Sequence, residues 1–162
     1  MRVLVAFFAN TGNTRFVASE IARRSGAELE EIRDARPHAG ACEGLRYIRD
    51  SLIGAKPPIE AARRANKATA DTDWSGYDLV ILGTPVWAWR VASPMRSYVL
   101  QNASRFKQVA FFCTEGGLGD RLVFSELSRL CGQTPVATYQ VTEPYLAEPT
   151  QQEPLSRFME RL

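Results

Sequence analysis

A hydroxyl- and glycine-rich turn near the start of the chain has the residue types to bind an anion. Residues Ala9 to Thr14 read Ala-Asn-Thr-Gly-Asn-Thr, and they join an apolar run to an amphipathic one. A helix that begins in such a turn leaves its first backbone N–H groups unpaired, and these groups carry positive partial charge. A phosphate can accept them together with the hydroxyls of Thr11 and Thr14, while Arg15 can add charge. The turn therefore predicts a site for one phosphate.

Other phosphate-binding loops do not fit this sequence. A Walker-type loop needs Gly-Lys followed by Ser or Thr, and the chain contains no Gly-Lys pair. The dinucleotide fingerprint needs three glycines after the first strand, whereas this turn has one. The later cluster Gly116–Gly119 ends without a third spaced glycine. For the Thr-Gly-Asn-Thr motif alone, an ordinary capped helix start remains the alternative to a phosphate site.

The composition indicates one globular domain over residues 1–162. The chain has 162 residues and is 45% hydrophobic, which is enough for one sizeable core. Three cysteines and one histidine disfavour a disulfide scaffold and a Cys/His zinc site. No signal-peptide pattern or membrane-spanning run is visible, so a soluble cytoplasmic protein without membrane contact is expected. A formal charge of +2, with basic residues scattered among acids, gives no indication of nucleic-acid binding.

Short apolar runs alternate with helical patterns along the chain. This alternation predicts an α/β fold, namely an open five-stranded parallel sheet with helices on both faces. In such sheets ligands bind beyond the carboxyl ends of the strands, at the point where the strand order reverses. If the order is 2-1-3-4-5, which is taken from a known sheet of this type and not deduced from this sequence, the loops after strands one, three and four converge there. The predicted strands are Val3–Ala9, Ala27–Ile32, Asp78–Gly83, Gln108–Cys113 and Thr134–Val141.

Amphipathic patterns predict the helices between these strands. One helix is expected from about Cys42 to Gly54, with Leu45, Ile48 and Leu52 on one side. Residues 59–76 are rich in alanine and charge, and we interpret them as a loosely packed helix or loop that Trp74 anchors on the core. Further helices are predicted to begin after Ala9–Thr14 and at Ser93, Asp120 and Thr150.

Two tryptophans, Trp87 and Trp89, stand in the loop after the third strand. Exposed flat apolar rings are unfavourable unless something covers them, and a stacked planar heterocycle would contribute about 0.5–1.5 kcal/mol beyond burial. The alternative is that one of the two packs on the core. The glycine-rich loop Thr114–Gly119 offers free backbone N–H groups to ring carbonyl oxygens, although glycines also favour a plain surface turn.

Three segments resemble the flavin-binding loops of flavodoxin-like proteins: Phe8–Arg15, Tyr77–Trp87 and Phe112–Gly119. The three segments occur in the same order as in the family, and the correspondence with the family extends over nearly the whole chain. The resemblance implies strand order 2-1-3-4-5 and a non-covalent FMN that transfers electrons without a catalytic side chain. It implies phosphate contacts from Asn10, Thr11, Gly12, Asn13 and Thr14, ring contacts from Pro85, Val86, Trp87 and Ala88, and pyrimidine contacts from Thr114, Glu115, Gly116, Gly117 and Gly119. We add Arg15 to the predicted FMN contacts for its charge beside the phosphate turn, and Trp89 for its flat ring in the second loop.

Departures from the family pattern leave three functions open. Ala9 replaces the usual Ser or Thr, residues 84–94 lack the glycine of electron carriers, and the third loop lacks their ring-covering tyrosine. The first function is an FMN electron carrier for a redox partner protein. The second is an FMN enzyme that takes hydride from NAD(P)H and reduces a quinone or similar small acceptor. The third is a flavin-free module that acts through protein contacts. We expect FMN to be reduced by two electrons, with Arg90 placed to stabilise negative charge on the reduced ring. The sequence leaves open whether the protein forms a homodimer.

Overall fold

The computed structural model describes residues 1–37, 40–63, 76–142 and 152–162. In these ranges seven strands form one sheet, and five α-helices pack around it. The strands are β1 (Val3–Phe8), β2 (Glu28–Asp34), β3 (Ile59–Arg63), β4 (Leu79–Trp87), β5 (Arg90–Val91), β6 (Val109–Glu115) and β7 (Thr138–Thr142). The helices are α1 (Gly12–Ser25), α2 (Glu43–Leu52), α3 (Ser93–Asn102), α4 (Asp120–Cys131) and α5 (Gln152–Met159).

The strand order is β3-β2-β1-β4-β6-β7, with β5 paired to β4. Strands β2, β1, β4, β6 and β7 are parallel neighbours, which confirms the predicted five-stranded sheet and its order 2-1-3-4-5. Two short strands were not predicted. Ile59–Arg63, expected in a helix or loop, pairs antiparallel with β2 at the sheet edge. The rest of that segment up to residue 75, with Trp74, lies outside the described residues.

The central strands are buried on both faces because helices cover both sides of the sheet. All six residues of β1 and all seven of β6 are buried. Leu4 and Ala6 face the core beneath α2, α3 and α4, whereas Val5 and Phe7 face the core beneath α1 and α5. This two-sided burial explains why the sequence shows continuous apolar runs there instead of alternation.

Helix α2 turns a different face to the core than its apolar pattern suggests. Leu45, Ile48 and Leu52 are exposed, whereas Tyr47 and Asp50 are buried. Tyr47 packs against aromatic rings of β1 and β4, and Asp50 forms ion pairs with two arginines. Aromatic packing and charge pairing thus orient this helix, and an apolar stripe is left on its outer side.

The strands that carry the predicted loops are longer than the apolar runs suggested. Strand β4 continues to Trp87 and β6 to Glu115, so part of the second and third predicted loops is strand. Strand β7 begins only at Thr138. The predicted start of the last helix at Thr150 lies outside the described residues. Within the described ranges, no helix combines the length and the apolarity that a membrane span requires.

Candidate functional site

Three segments meet at the carboxyl ends of β1, β4 and β6. The turn from β1 to α1 holds the predicted phosphate residues, β4 and its hairpin hold the predicted ring residues, and the end of β6 with the following loop holds the third set. The register of β4 and β6 places Pro85 opposite Thr114. The predicted residues of all three sets therefore lie at one edge of the sheet, as the topology required.

The β1–α1 turn presents unpaired hydrogen-bond donors. Helix α1 begins at Gly12, and the side chain of its N-cap residue Thr11 makes no capping hydrogen bond within the described structure. Asn10 and Thr11 are exposed, and the first helical turn contains no acidic residue. Because the Thr11 side chain does not cap the first N–H groups and the first helical turn holds no carboxylate, this turn can bind an anion.

A buried hydroxyl pair joins the first segment to the third. Thr14 Oγ1 lies 2.8 Å from Thr114 Oγ1, and both residues are buried. Each hydroxyl has one proton, so the pair uses one proton between the two oxygens and leaves the other to donate elsewhere. The Thr14 side chain, which the sequence predicts as a phosphate ligand, is therefore buried and ties α1 to β6.

Arg15 directs its charge toward β2. Its guanidinium pairs with the buried carboxylate of Glu31, which Arg33 also contacts. Burial opposes the ionisation of Glu31, but hydrogen bonds and charge from Arg15 and Arg33 outweigh it and hold the pKa of Glu31 below its usual value. Because the charge of Arg15 is paired with Glu31, the positive potential of the turn comes more from its backbone N–H groups than from Arg15.

The second segment is a tight hairpin. Trp87 of β4 pairs with Arg90 of β5, and the two residues between them, Ala88 and Trp89, have φ angles of 49° and 60°. Two consecutive left-handed residues make the turn that matches the twist of an antiparallel pair, although asparagine and glycine usually occupy it. A positive φ is costly for alanine and tryptophan, and the pairing of β4 with β5 on both sides of the turn holds them in this conformation.

Replacing Ala88 with glycine is expected to raise the free energy of unfolding by about 0.5–1.5 kcal/mol, since glycine lacks the Cβ clash of the left-handed region. Urea denaturation measures the change. Ala103→Gly is the matched control, because Ala103 has right-handed helical angles of −53° and −37°. The control should lose about 0.5–1 kcal/mol. A loss of stability in Ala88→Gly would show that the hairpin does not hold this conformation.

The two tryptophans have different surroundings. The ring of Trp87 stacks on Tyr47 at a centroid distance of 5.0 Å and meets Phe8 edge-on at 5.7 Å. Trp89 is 58% exposed at the tip of the hairpin. Trp87 thus packs on the core, which is the alternative that the sequence analysis gave for one of the two tryptophans. Trp89 remains accessible to a ligand.

A buried ion pair anchors the hairpin from below. Arg96 of α3 donates to Glu126 Oε1 of α4 at 2.8 Å, and Glu126 Oε2 accepts the backbone N–H of Val91 in β5 at 3.1 Å. Thr84 adds a second anchor, because its hydroxyl oxygen accepts the Ala92 N–H at 3.2 Å. Sequence reasoning missed Arg96 and Glu126, since they lie in separate helices and form no local motif.

The third segment packs directly against the hairpin. Gly116 and Gly117 are exposed with open space around them, whereas Gly119 has a φ of 135°. A Cβ on Gly119 would lie 2.7 Å from Val86 Cγ1 and 3.1 Å from Trp89 Cδ1. Glycine is required at this position by both its backbone angle and the close approach. The second and third segments therefore form one continuous surface.

Glu115 is buried at the end of β6. Its Oε1 accepts a hydrogen bond from Gln140 Nε2 at 2.7 Å, while Oε2 has no hydrogen-bond partner within the described residues. Burial, together with the charge of Asp120, raises the pKa of Glu115 above its usual value. The carboxyl group therefore lies beneath the third loop and favours its neutral form more than an exposed glutamate does.

The sequence matches a family model described as Flavodoxin over residues 2–142. No curated protein sequence matches the chain.

Solved structures of similar fold cover almost the whole chain. A flavoprotein from Lactobacillus acidophilus in complex with FMN has a TM-score of 0.72 at 20% identity, with 97% of each chain covered. Flavodoxin 2 from Bacillus cereus has a TM-score of 0.60 at 15% identity, covering 99% of this chain and 97% of the other. The two-electron reduced flavodoxin of Megasphaera elsdenii has a TM-score of 0.54 at 17% identity, with 99% of each chain covered. At these identities the likeness concerns the fold.

Proposed function

This chain belongs to the flavodoxin family, and on that premise we propose that it is a redox protein that binds FMN without a covalent bond. FMN supplies the electron-accepting chemistry when bound, and the protein supplies binding, orientation and exclusion of water. One phosphate turn and no second diphosphate motif favour FMN over FAD. The Lactobacillus acidophilus flavoprotein, whose structure contains FMN, gives independent support from the same fold.

The observation that carries the proposal is the convergence of the three segments. The 2.8 Å contact of Thr14 with Thr114 joins the first to the third, and Gly119 joins the third to the hairpin residues Val86 and Trp89. Together these contacts make a continuous surface with unpaired donors at one end and an exposed indole at the other. This arrangement fits a ligand that combines one phosphate with a flat ring system.

The roles follow from the chemistry of each segment. The backbone N–H groups of the first helical turn, with the hydroxyl of Thr11, would hold the phosphate. Trp89 and the hairpin backbone would contact the ring, and the exposed N–H groups of Gly116 and Gly117 would donate to its carbonyl oxygens. Ala9 provides no hydroxyl, so the phosphate interaction would come from Thr11, from the backbone and from the proton that the Thr14–Thr114 pair leaves free.

A reductase that takes hydride from NAD(P)H is the second candidate function. The observation that favours it is the third loop, where Gly116 and Gly117 are exposed and bring no aromatic ring over the site. Where no described residue of this loop covers the ring face, there is room for a small acceptor such as a quinone. An electron carrier for a partner protein does not need that opening.

Anaerobic reductive titration of the FMN-loaded protein tests the redox function. We expect two electrons per FMN in a single step. One-electron carriers flip a glycine peptide in this loop toward the reduced ring, whereas here residues 84–94 contain no glycine and the N–H groups of Val91 and Ala92 are bound to Glu126 and Thr84. Absorbance spectra measured through the titration give the electron count. A long-wavelength band at the one-electron stage would contradict this expectation and favour the electron carrier. A protein that takes up no FMN would favour a flavin-free interaction module.

A further inference from the structure

One edge of the sheet ends in a strand whose outer side is open. β7 is the last strand of the order β3-β2-β1-β4-β6-β7, and within the described residues only β6 pairs with it. A cleft of about 350 Å³ runs along this edge between α4 and α5. The cleft lies outside the three segments of the FMN site, which meet at the ends of β1, β4 and β6.

The pairing of β7 with β6 decides which backbone groups of β7 point outward. The carbonyl oxygen of Ala137 accepts the N–H of Phe111 at 3.1 Å, so Ala137 faces β6. Backbone polar groups alternate in direction along a strand, and every second residue after Ala137 therefore also faces β6. The residues that direct their N–H and C=O groups away from the sheet are Thr138, Gln140 and Thr142. These three are exposed or half-buried, whereas Tyr139 and Val141 between them are buried.

β7 lacks the devices that usually protect an open strand edge. Proteins prevent unwanted pairing at such edges with charged side chains, proline or a covering element. The strand at the other edge, β3, carries Glu60 and Arg63 and directly follows two prolines. The sequence of β7, Thr-Tyr-Gln-Val-Thr, contains neither a charged residue nor a proline. The outer side of β7 is therefore suited to pairing with another strand.

β7 is complementary to a second copy of itself. A two-fold axis at Gln140 aligns the two β7 strands antiparallel, with Thr138 of each copy opposite Thr142 of the other. All three outward-facing residues then form pairs that exchange N–H···O bonds across the junction. The opposed side chains are threonine with threonine and glutamine with glutamine, so no like charges meet. A charged residue at Gln140 would instead oppose its own copy.

Helix α5 adds a charge pattern that is also complementary to itself. The helix runs along the cleft, because Pro154, Arg157 and Arg161, on successive turns, line it. Arg161 is exposed and has no ionic partner in the part of the chain that the structure describes. At the start of the helix, exposed Glu153 pairs with Arg157 through Oε1, which leaves Oε2 for another cation. The same two-fold axis sets the two α5 helices antiparallel, so Glu153 of each copy faces Arg161 of the other.

We propose that two copies of this chain pair through β7 in an antiparallel arrangement, which joins their sheets into one continuous sheet. The charge pattern of α5 favours a second copy over an unrelated extended peptide, since only the copy supplies both an acid and a base at matching places. Pairing at β7 leaves the carboxyl ends of β1, β4 and β6 open in each copy. The two FMN sites then lie at opposite ends of the joined sheet, and the inference does not depend on FMN binding.

Analytical ultracentrifugation of the flavin-free full chain, from about 1 μM to about 1 mM, tests this interface. We expect a concentration-dependent dimer for the wild type. Thr138→Pro should raise the dimer dissociation constant at least about tenfold, because proline removes an outward N–H and puts its ring toward the second copy. The substitution removes no hydrogen bond to β6. Thr138→Val is the matched control, since valine keeps the N–H and suits a strand, and its dimer should be unchanged.

Charge exchange on α5 tests the two-fold arrangement with exposed residues whose substitution should not disturb the fold. Arg161→Glu should raise the dissociation constant at least about tenfold, because both symmetric contacts with Glu153 become repulsive. Adding Glu153→Arg to that variant restores opposite charges and should return the constant to within about threefold of the wild type. A wild type that stays monomeric overturns the inference. So does a dimer that Thr138→Pro leaves intact, or a double variant as weak as Arg161→Glu alone.

Discussion

Replacing Glu126 with alanine is expected to lower the free energy of unfolding by about 3–5 kcal/mol, because it leaves a buried guanidinium without its counter-charge. Arg96 and Glu126 have side-chain exposures of 5% and 7%. The same substitution also removes the acceptor of the Val91 N–H in the hairpin strand β5. Urea denaturation of the flavin-free protein measures the loss.

Two variants make the test of this pair specific. Glu153→Ala breaks a pair on α5 whose partner Arg157 is 72% exposed, so the expected loss is within about 1 kcal/mol. The double variant with methionine at Arg96 and Glu126 replaces both charges by apolar groups and should recover most of the stability. A Glu126→Ala protein as stable as the Glu153→Ala protein would mean that the buried pair does not hold the hairpin.

Replacing Thr11 with valine is expected to raise the dissociation constant for FMN at least about tenfold while leaving riboflavin binding unchanged. A hydrogen bond to a charged group contributes about 1.5–3 kcal/mol, and only FMN carries the phosphate. Thr11 is exposed and its side chain makes no capping hydrogen bond in the described structure, so its loss should not disturb the fold. Quenching of flavin fluorescence measures both ligands.

Two further valine variants show how the FMN dissociation constant and the free energy of unfolding respond when a threonine hydroxyl is lost inside the site or far from it. Thr14→Val should weaken FMN and also lower stability by about 1–3 kcal/mol, since it leaves the buried Thr114 hydroxyl without its partner. Thr138→Val, at the exposed start of β7 and the opposite end of the sheet, should change neither quantity. If Thr11→Val weakened FMN and riboflavin alike, the phosphate would not be held by this turn.

The sheet could be predicted because its determinants are local. Five apolar runs of strand length, separated by helical patterns, leave few topologies, and the rule that ligands bind at carboxyl strand ends indicates which loops converge. The glycines and hydroxyls of the phosphate turn are likewise adjacent in sequence. For these reasons the five parallel strands followed from the residues, whereas their order, and with it the sheet edge where the three loops meet, came from the resemblance to a known family.

The remaining features depend on contacts between distant residues. Ile59–Arg63 becomes a strand because the free edge of β2 is available for pairing, which its own composition does not indicate. Ala88 and Trp89 adopt left-handed angles because β4 pairs with β5 around them. The face that α2 buries is set by Tyr47 and its aromatic neighbours, against the apolar pattern of the helix. Such tertiary effects override local propensity.

Titration of the flavin-free protein with FMN, riboflavin and FAD tests the central proposal most directly. We expect one FMN bound per chain, more weakly bound riboflavin because the phosphate contacts are lost, and no preference for FAD. Tryptophan emission should fall as FMN binds, since Trp89 lies exposed beside the site. Absence of FMN binding at micromolar concentrations, or riboflavin bound as tightly as FMN, would contradict the proposal that this sheet edge is an FMN site.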